Sequence, residues 1–221
     1  MTETAPPVLY SFRRCPYAIR ARLALASAGI QCALREIVLR DKAPEFVDIS
    51  PKATVPVLVD TAAGVLEESL EIMHWALGRH DPEGLLPADP GRQTEMRSLI
   101  ADIDGAFKTH LDRYKYPNRF EDEGPVDTAS ERAAAGRFID ELETRLSDSD
   151  WLFGERPSYA DLAILPFVRQ FAFVDKTWFD AQPWPRVHGW LDRFLASDRF
   201  LSVMTKYPKW QSGDPVTLFP D

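Results

Sequence analysis

Hydrophobic and polar positions in the first eighty residues switch repeatedly between a strand-like and a helix-like period. Val8-Leu9-Tyr10-Ser11-Phe12 is a short β-prone run, followed by a polar turn at Arg13-Arg14. Ile19, Leu23, Ala26 and Ile30 then recur at helical spacing, and Gly29 marks a helix end. Leu34 to Leu39 reads as a second strand, and a βαβ unit this compact implies parallel strands with a right-handed crossover. A polar connection containing Lys42, Pro44 and Pro51 follows. Val55 to Asp60 reads as a third strand with a proline near its start. The turn Ala62-Ala63-Gly64 leads into a fourth strand at Val65 to Glu68, so these two form an antiparallel hairpin. Ser69 is expected to cap a helix running to about Arg79, with Leu70, Met73 and Leu77 on one face.

The order β-α-β, then β-β-α, describes a thioredoxin-like α/β unit over residues 1–80. Residues 81–92 break the pattern with Asp81-Pro82, Gly84, Pro87 and Asp89-Pro90-Gly91, and are the expected linker. From 93 to 221 the signals are helical, so an all-α C-terminal domain is expected. Met96, Ile100, Ile103, Phe107, Leu111 and Tyr114 trace one long amphipathic helix stopped by Pro117. Residues 120–127 are acidic and contain Pro and Gly, as a loop would, and Ala133 to Leu146 is a further helix. Ser158-Tyr159-Ala160-Asp161 reads as an N-cap with an acidic N3 residue ahead of a buried helix that Pro166 should bend. Pro185 to Leu195 completes the helical set.

Composition narrows the function classes. The formal net charge of -8 argues against nucleic acid as a partner, since duplex binding wants a basic face. Two cysteines, Cys15 and Cys32, are too few for a disulfide framework and lie too far apart for a CxxC pair, so a reducing, cytoplasmic home fits best. His74, His80, His110 and His188 show no HxxxH or HExxH spacing, and a metal site is not expected. No apolar run is long enough to cross a bilayer, and Met1 to Pro7 carries no secretory signal pattern, so no membrane association is expected.

The chemistry concentrates at Cys15. Pro16 suits a first helical position, which places Cys15 at a helix N-cap, facing unpaired N–H groups and the positive end of the helix dipole. Arg13, Arg14, Arg20 and Arg22 add positive charge, and both influences favour the nucleophilic thiolate. Cys32 has no such setting and reads as a buried apolar residue. Ala18 stands where a dithiol enzyme would carry its resolving cysteine, so an external thiol must complete any disulfide exchange. Val55-Pro56 is compatible with a cis bond, which would leave the Val55 backbone free for an extended ligand, or with an ordinary trans proline at a sheet edge. Ser69 is suited to hold a carboxylate with the neighbouring N–H groups, or simply to cap its helix, and Glu68 to hold an ammonium or stay solvated.

Cys15-Pro16-Tyr17, Val55-Pro56 and Glu68-Ser69, in this order and spacing, resemble the cytosolic glutathione transferase superfamily over essentially the whole chain. Among its branches, the cysteine-type members are the most similar. Cys15 to Leu25 and Glu68 to Trp75 resemble the two-domain glutaredoxin, and the spacing from Lys42 to Pro56 resembles the omega class. The resemblance implies that Cys15 meets the sulfur of glutathione, with Tyr17 flanking it. It implies Lys42 on the glycine carboxylate, Val55 on the cysteinyl backbone across a cis Pro56, and Glu68 with Ser69 on the γ-glutamyl group. A second substrate, hydrophobic or a disulfide, would bind between domains, with Phe107 and Tyr114 as candidates for its wall. Glutathione is then a cosubstrate and no metal is required.

The reading that follows is a glutathione-dependent transferase acting by thiol transfer or deglutathionylation through a Cys15 mixed disulfide. The alternatives are conjugation of glutathione to electrophilic small molecules, including dehalogenation or isomerisation, and a non-catalytic binding or regulatory relative. The superfamily is mostly dimeric, while some two-domain glutaredoxins are monomers, so a homodimer is one expectation and a monomer the other.

Overall fold

The computed structural model describes residues 5–220, which divide into two compact units: one comprises the described residues up to Glu83 together with those from Ala196 onward, and the other is Gly84–Leu195.

In the first unit, β1 (Val8–Ser11) occupies the centre of a five-stranded sheet with the order β4-β3-β1-β2-β5. It pairs in parallel with β2 (Cys32–Glu36), placing Val8 opposite Ala33 and Ser11 opposite Glu36. The connection between them is α1 (Pro16–Ser27), a helix so apolar that most of its circumference is buried. On its other side β1 pairs antiparallel with β3 (Val57–Asp60), and β3 forms the expected hairpin with β4 (Gly64–Leu66). Gly64 has φ 79°, the left-handed backbone that glycine adopts without penalty in so tight a turn.

Three expectations for this unit need correction. The polar connection after β2 contains a helix, α2 (Pro44–Ile49), with Pro44 in the first turn. It is anchored by Phe46, which has no exposed surface and lies 5.1 Å from the Tyr10 ring, centroid to centroid. Ser69 is the first residue of α3 (Ser69–Arg79) rather than its cap; Glu68 takes the cap position, with no side-chain cap hydrogen bond. Finally, the stretch 93–221 is not all-helical and not all in the second unit. After α9 (Pro185–Ala196), described below, α10 (Asp198–Val203) packs against α1, and β5 (Thr217–Phe219) pairs antiparallel with β2, Cys32 opposite Phe219. An unpaired β2 edge would leave backbone groups without partners, and the C-terminal strand supplies them.

The second unit is helical. Where one long helix is predicted, α4 (Pro90–Asp102) runs into a π-helical turn at Ile103–Phe107 and continues as α5 (Lys108–Lys115). α6 (Thr128–Arg145) packs along α5, and α7 (Tyr159–Ala172) is buried over most of its length, continuing through Pro166. α8 (Lys176–Asp180), which the periodicity does not reveal, precedes α9. The aromatic core centres on Phe171, whose ring lies 5.7–6.1 Å from those of Phe107, Tyr114, Trp178 and Phe179. Among the described residues, no helix is long and apolar enough to cross a membrane.

The expected cap at Ser158 is a complete capping box and does more than cap. Asp161 has no exposed surface and accepts from the Leu152 N–H (3.0 Å), the Ser158 N–H (2.8 Å), the Ser158 hydroxyl (2.6 Å) and the Trp190 indole N–H (2.9 Å). One carboxylate therefore ties the loop before α7 to α9. Removing it strands buried donors on both. We expect Asp161→Ala to destabilise the protein by about 3–5 kcal/mol, read as a lower urea midpoint with an unchanged slope.

Candidate functional site

The candidate site grows from the turn between β1 and α1. Cys15 stands at the N-cap of α1 with extended backbone (φ -72°, ψ 124°), and Pro16 follows in the first helical turn. The Cys15 N–H donates to the Phe12 carbonyl at 3.0 Å, which closes the turn, and its own carbonyl accepts from Ile19 at 2.9 Å, which starts the helix. The thiol does not bond back to the helix as a serine cap would. It reaches across to the Val55 carbonyl, Sγ to O 3.6 Å. Cys15 is half-buried, against a cluster that includes Tyr10, Phe46, Val55 and Trp210.

Val55 is buried, and its bond to Pro56 is cis. Cys15 and Val55, forty positions apart, are thus brought into contact. The remaining residues expected to meet glutathione lie on separate elements of the same unit. Tyr17 is half-buried in the first turn of α1, with the Arg20 guanidinium 5.3 Å over its ring. Ser69 is buried at the start of α3. Glu68, exposed just ahead of it, accepts from the Lys52 ammonium at 2.7 Å. This bond and its charge push the Lys52 pKa upward. Lys42 is exposed on the approach to α2, next to Asp41, whose carboxylate pairs with Lys209. Cys32 is fully buried, and burial pushes its thiol up to about 12, far from the thiolate.

Of the two residues suggested for a second-substrate wall, Phe107 is excluded by burial. It has no exposed surface, and the Phe138 and Phe171 rings enclose it, so it is a core residue. Tyr114 is half-buried on α5, with its ring against Phe171 and the Arg132 guanidinium 5.8 Å away.

The four arginines around Cys15 turn out to be very different. Arg14 is exposed, with its guanidinium 5.6 Å over the Phe12 ring. Arg20 and Arg22 are buried. Arg22 donates to the Ser11 hydroxyl at 2.6 Å and to the Arg13 carbonyl at 2.7 Å. Glu36, an acid that sequence reasoning missed, is buried at the end of β2 and accepts from the Arg13 N–H at 2.7 Å. Its signal was available: Cys32, Leu34 and Glu36 fall on the inward face of an alternating strand, where a carboxylate is out of place without a purpose. Also missed was the C-terminal segment. Trp210 donates its backbone N–H to the Glu36 carbonyl at 2.9 Å and sits edge-on to Tyr10, while the Arg35 guanidinium lies 4.2 Å over its ring.

Comparison with known proteins agrees with this architecture. Residues 9–84 match the family model for the glutathione S-transferase N-terminal domain, and residues 100–193 match that for the C-terminal domain. Maleylacetoacetate isomerase of Pseudomonas aeruginosa is 26% identical over 201 residues, 87% of this chain and 92% of that protein. FtsZ-localized protein A of Caulobacter vibrioides is 27% identical over 224 residues, covering 96% of each. Among solved structures, a glutathione transferase family member from Pseudomonas fluorescens with two glutathione bound superposes with a TM-score of 0.76 at 20% identity, covering 92% of this chain and 94% of that one. With both domain models matched in order across most of its length, the chain belongs to the glutathione S-transferase family, built as a thioredoxin-like unit followed by a helical one.

Proposed function

We propose that this glutathione transferase works by thiol transfer, with Cys15 taking up and releasing the glutathionyl group. The observation that carries the reading is the placement of Cys15: a half-buried thiol at the head of α1, in contact with the Val55 carbonyl beside a cis proline. A serine or tyrosine there could only hydrogen-bond to a glutathione thiolate. A cysteine can itself form a bond to sulfur.

In the proposed cycle the Cys15 thiolate attacks the glutathione sulfur of a mixed disulfide, R–S–SG. The S–S bond breaks, R–S⁻ leaves and takes a proton, and Cys15–S–SG forms. A second glutathione thiolate then attacks the glutathione sulfur of that adduct, giving oxidised glutathione and regenerating the Cys15 thiolate. The cycle consumes one reduced glutathione: its sulfur is oxidised to the disulfide level as the R sulfur is reduced to a thiol, and the substrate's glutathionyl group passes into oxidised glutathione with its sulfur unchanged in oxidation state.

Binding follows from the surrounding groups. The Val55 backbone would pair with the cysteinyl part of glutathione. Ser69 and the first N–H groups of α3 would hold the γ-glutamyl carboxylate, and Glu68 its ammonium. Lys52 already neutralises Glu68, so the incoming ammonium would share or displace that partner. Lys42, exposed ahead of α2, would meet the glycine carboxylate.

A second reading, glutathione-dependent isomerisation, is favoured by the likeness to maleylacetoacetate isomerase. The two differ in what Cys15 must do. Isomerisation transfers no electrons and requires no enzyme–sulfur bond, whereas thiol transfer requires one.

Cys15→Ser should therefore reduce glutathione-dependent reduction of a mixed disulfide to the uncatalysed background. Mass spectrometry after oxidised-glutathione treatment should find the glutathionyl adduct on Cys15 of the wild-type chain. Undiminished disulfide reduction by Cys15→Ser would rule out thiol transfer. Lys42→Ala, which removes one solvent-exposed ion pair, should raise the KM for glutathione by about two- to fivefold with little change in kcat.

A further inference from the structure

We propose that Arg22 and Glu36 form a buried positioning pair for Cys15: Arg22 clamps the turn that presents the thiol and sets a fixed positive charge behind it, while Glu36 offsets part of that charge. This deepens the reading of Cys15 as the reacting thiol and rests on it.

Arg22 lies two turns along α1 from Cys15, among Ala18, Ile19, Ala21, Leu23, Ala24 and Leu25, all buried. It is itself only 1% exposed. A guanidinium is costly at such a position unless its donors are met and its charge is answered. Two of its donors are met by the turn, while the buried Nε has no hydrogen-bond partner among the described residues. One reaches the Ser11 hydroxyl at the end of β1, and another the Arg13 carbonyl, so the fork grips either side of Phe12. The Phe12 carbonyl is the group that accepts the Cys15 N–H. A leucine or methionine of similar volume would fill the space but could not hold this turn.

The charge is answered from three directions. Burial lowers the Arg22 pKa from its ordinary value to about 10, which leaves it protonated at neutral pH. Glu36 on β2 opposes that fall most strongly, followed by Cys15 at the head of α1 and Tyr207 in the C-terminal segment; Arg13 in the turn acts with burial. Electrostatic coupling is reciprocal. If the Cys15 thiolate favours the guanidinium cation, the cation favours the thiolate to the same degree.

Glu36 is the counterweight. Its Oε1 accepts the Arg13 N–H, and its buried Oε2 has no hydrogen-bond partner. Burial raises its pKa, against the pull of the Arg13 N–H, Arg22 and Arg13. A negative charge here attracts Arg22 and draws on the same positive field that Cys15 experiences. Arg22 should therefore push the thiol toward thiolate, and Glu36 should push it back. Residues that merely hold the fold would not act in opposite directions.

The test is the rate of Cys15 alkylation by iodoacetamide against pH, on the full chain without glutathione, read by peptide mass spectrometry. Cys32 does not interfere, being buried and pushed up to about 12. Arg22→Met should move the midpoint of the profile to higher pH and slow alkylation at neutral pH by about tenfold. Arg22→Lys, which keeps the charge, should restore most of that loss. Glu36→Gln, which keeps an acceptor for the Arg13 N–H, should move the midpoint to lower pH. An unmoved midpoint in either Arg22→Met or Glu36→Gln, or movement of both in the same direction, overturns the proposal. Should Arg22→Met fail to fold, Glu36→Gln still decides it: its midpoint must fall below the wild-type pH, and a midpoint that stays or rises overturns the proposal. Because the assay contains no glutathione, a chain that shows these shifts but reduces no mixed disulfide would refute thiol transfer and leave the pair intact.

Discussion

The structure of the first unit hangs on the pairing of β1, which is central in its sheet and bonded on both sides. Its parallel register with β2 puts Ser11 beside Glu36, and its antiparallel register with β3 puts Tyr10 beside Val57. Those two registers set where the strand must stop. The chain then turns at once into α1, and the residue at the changeover is Cys15. The same β3 pairing brings Val55, two residues before Val57, against the thiol. A slip of either register by one residue would reverse the alternation and turn Cys32, Leu34 and Glu36 outward. The site is therefore a consequence of strand pairing, with α1 supplying the cap position that the pairing leaves open.

Each unit also buries ionisable groups, and each solves the problem locally. Asp161 in the second unit is met by donors from a loop, a cap and an indole, so one carboxylate organises three elements. Arg22 and Glu36 in the first unit share the backbone of Arg13, Arg22 donating to its carbonyl and Glu36 accepting from its N–H. Both arrangements place charge where hydrophobic residues of similar volume would pack as well or better. What charge adds is direction, because hydrogen bonds fix the path of a loop in a way that packing does not. At Asp161 that fixes a helix start, and at Arg22 the turn carrying the thiol.

Much of this was readable from residue order, for reasons particular to each element. The hairpin from Val57 to Leu66 and the capping box at Ser158 carry local signals, a glycine turn and a serine with an acid three residues on. Local signals suffice when the partners are local. α2 was missed because six residues are too few to show a period, although Pro44-Glu45 opens it as a helix should. The error at Ser69 was of one position, within the ordinary uncertainty of a helix end. The return of the C-terminus could not be read from spacing at all. Thr217-Leu218-Phe219 is β-prone, but its partner is β2, nearly two hundred residues earlier. Phe107 shows the opposite failure. Its period correctly marks an apolar helix face, and nothing in a period distinguishes a face that lines a pocket from one that closes a core.

On the thiol-transfer reading, the second thiol must come from outside the chain, and two residues explain why. Ala18, at the third position of α1, has no exposed surface and no sulfur to offer. Cys32 has the sulfur but lies inside β2, where burial holds it protonated, so it is neither nucleophilic nor accessible to an adduct on Cys15. An internal disulfide would need one of these positions to open, at the cost of the β1–β2 pairing or of the first turn of α1. Both support Cys15 itself, so the changes that would free a resolving thiol would dismantle the site it is meant to serve. A monothiol cycle with glutathione as the resolving partner avoids that conflict, because it leaves β1, β2 and α1 as they stand.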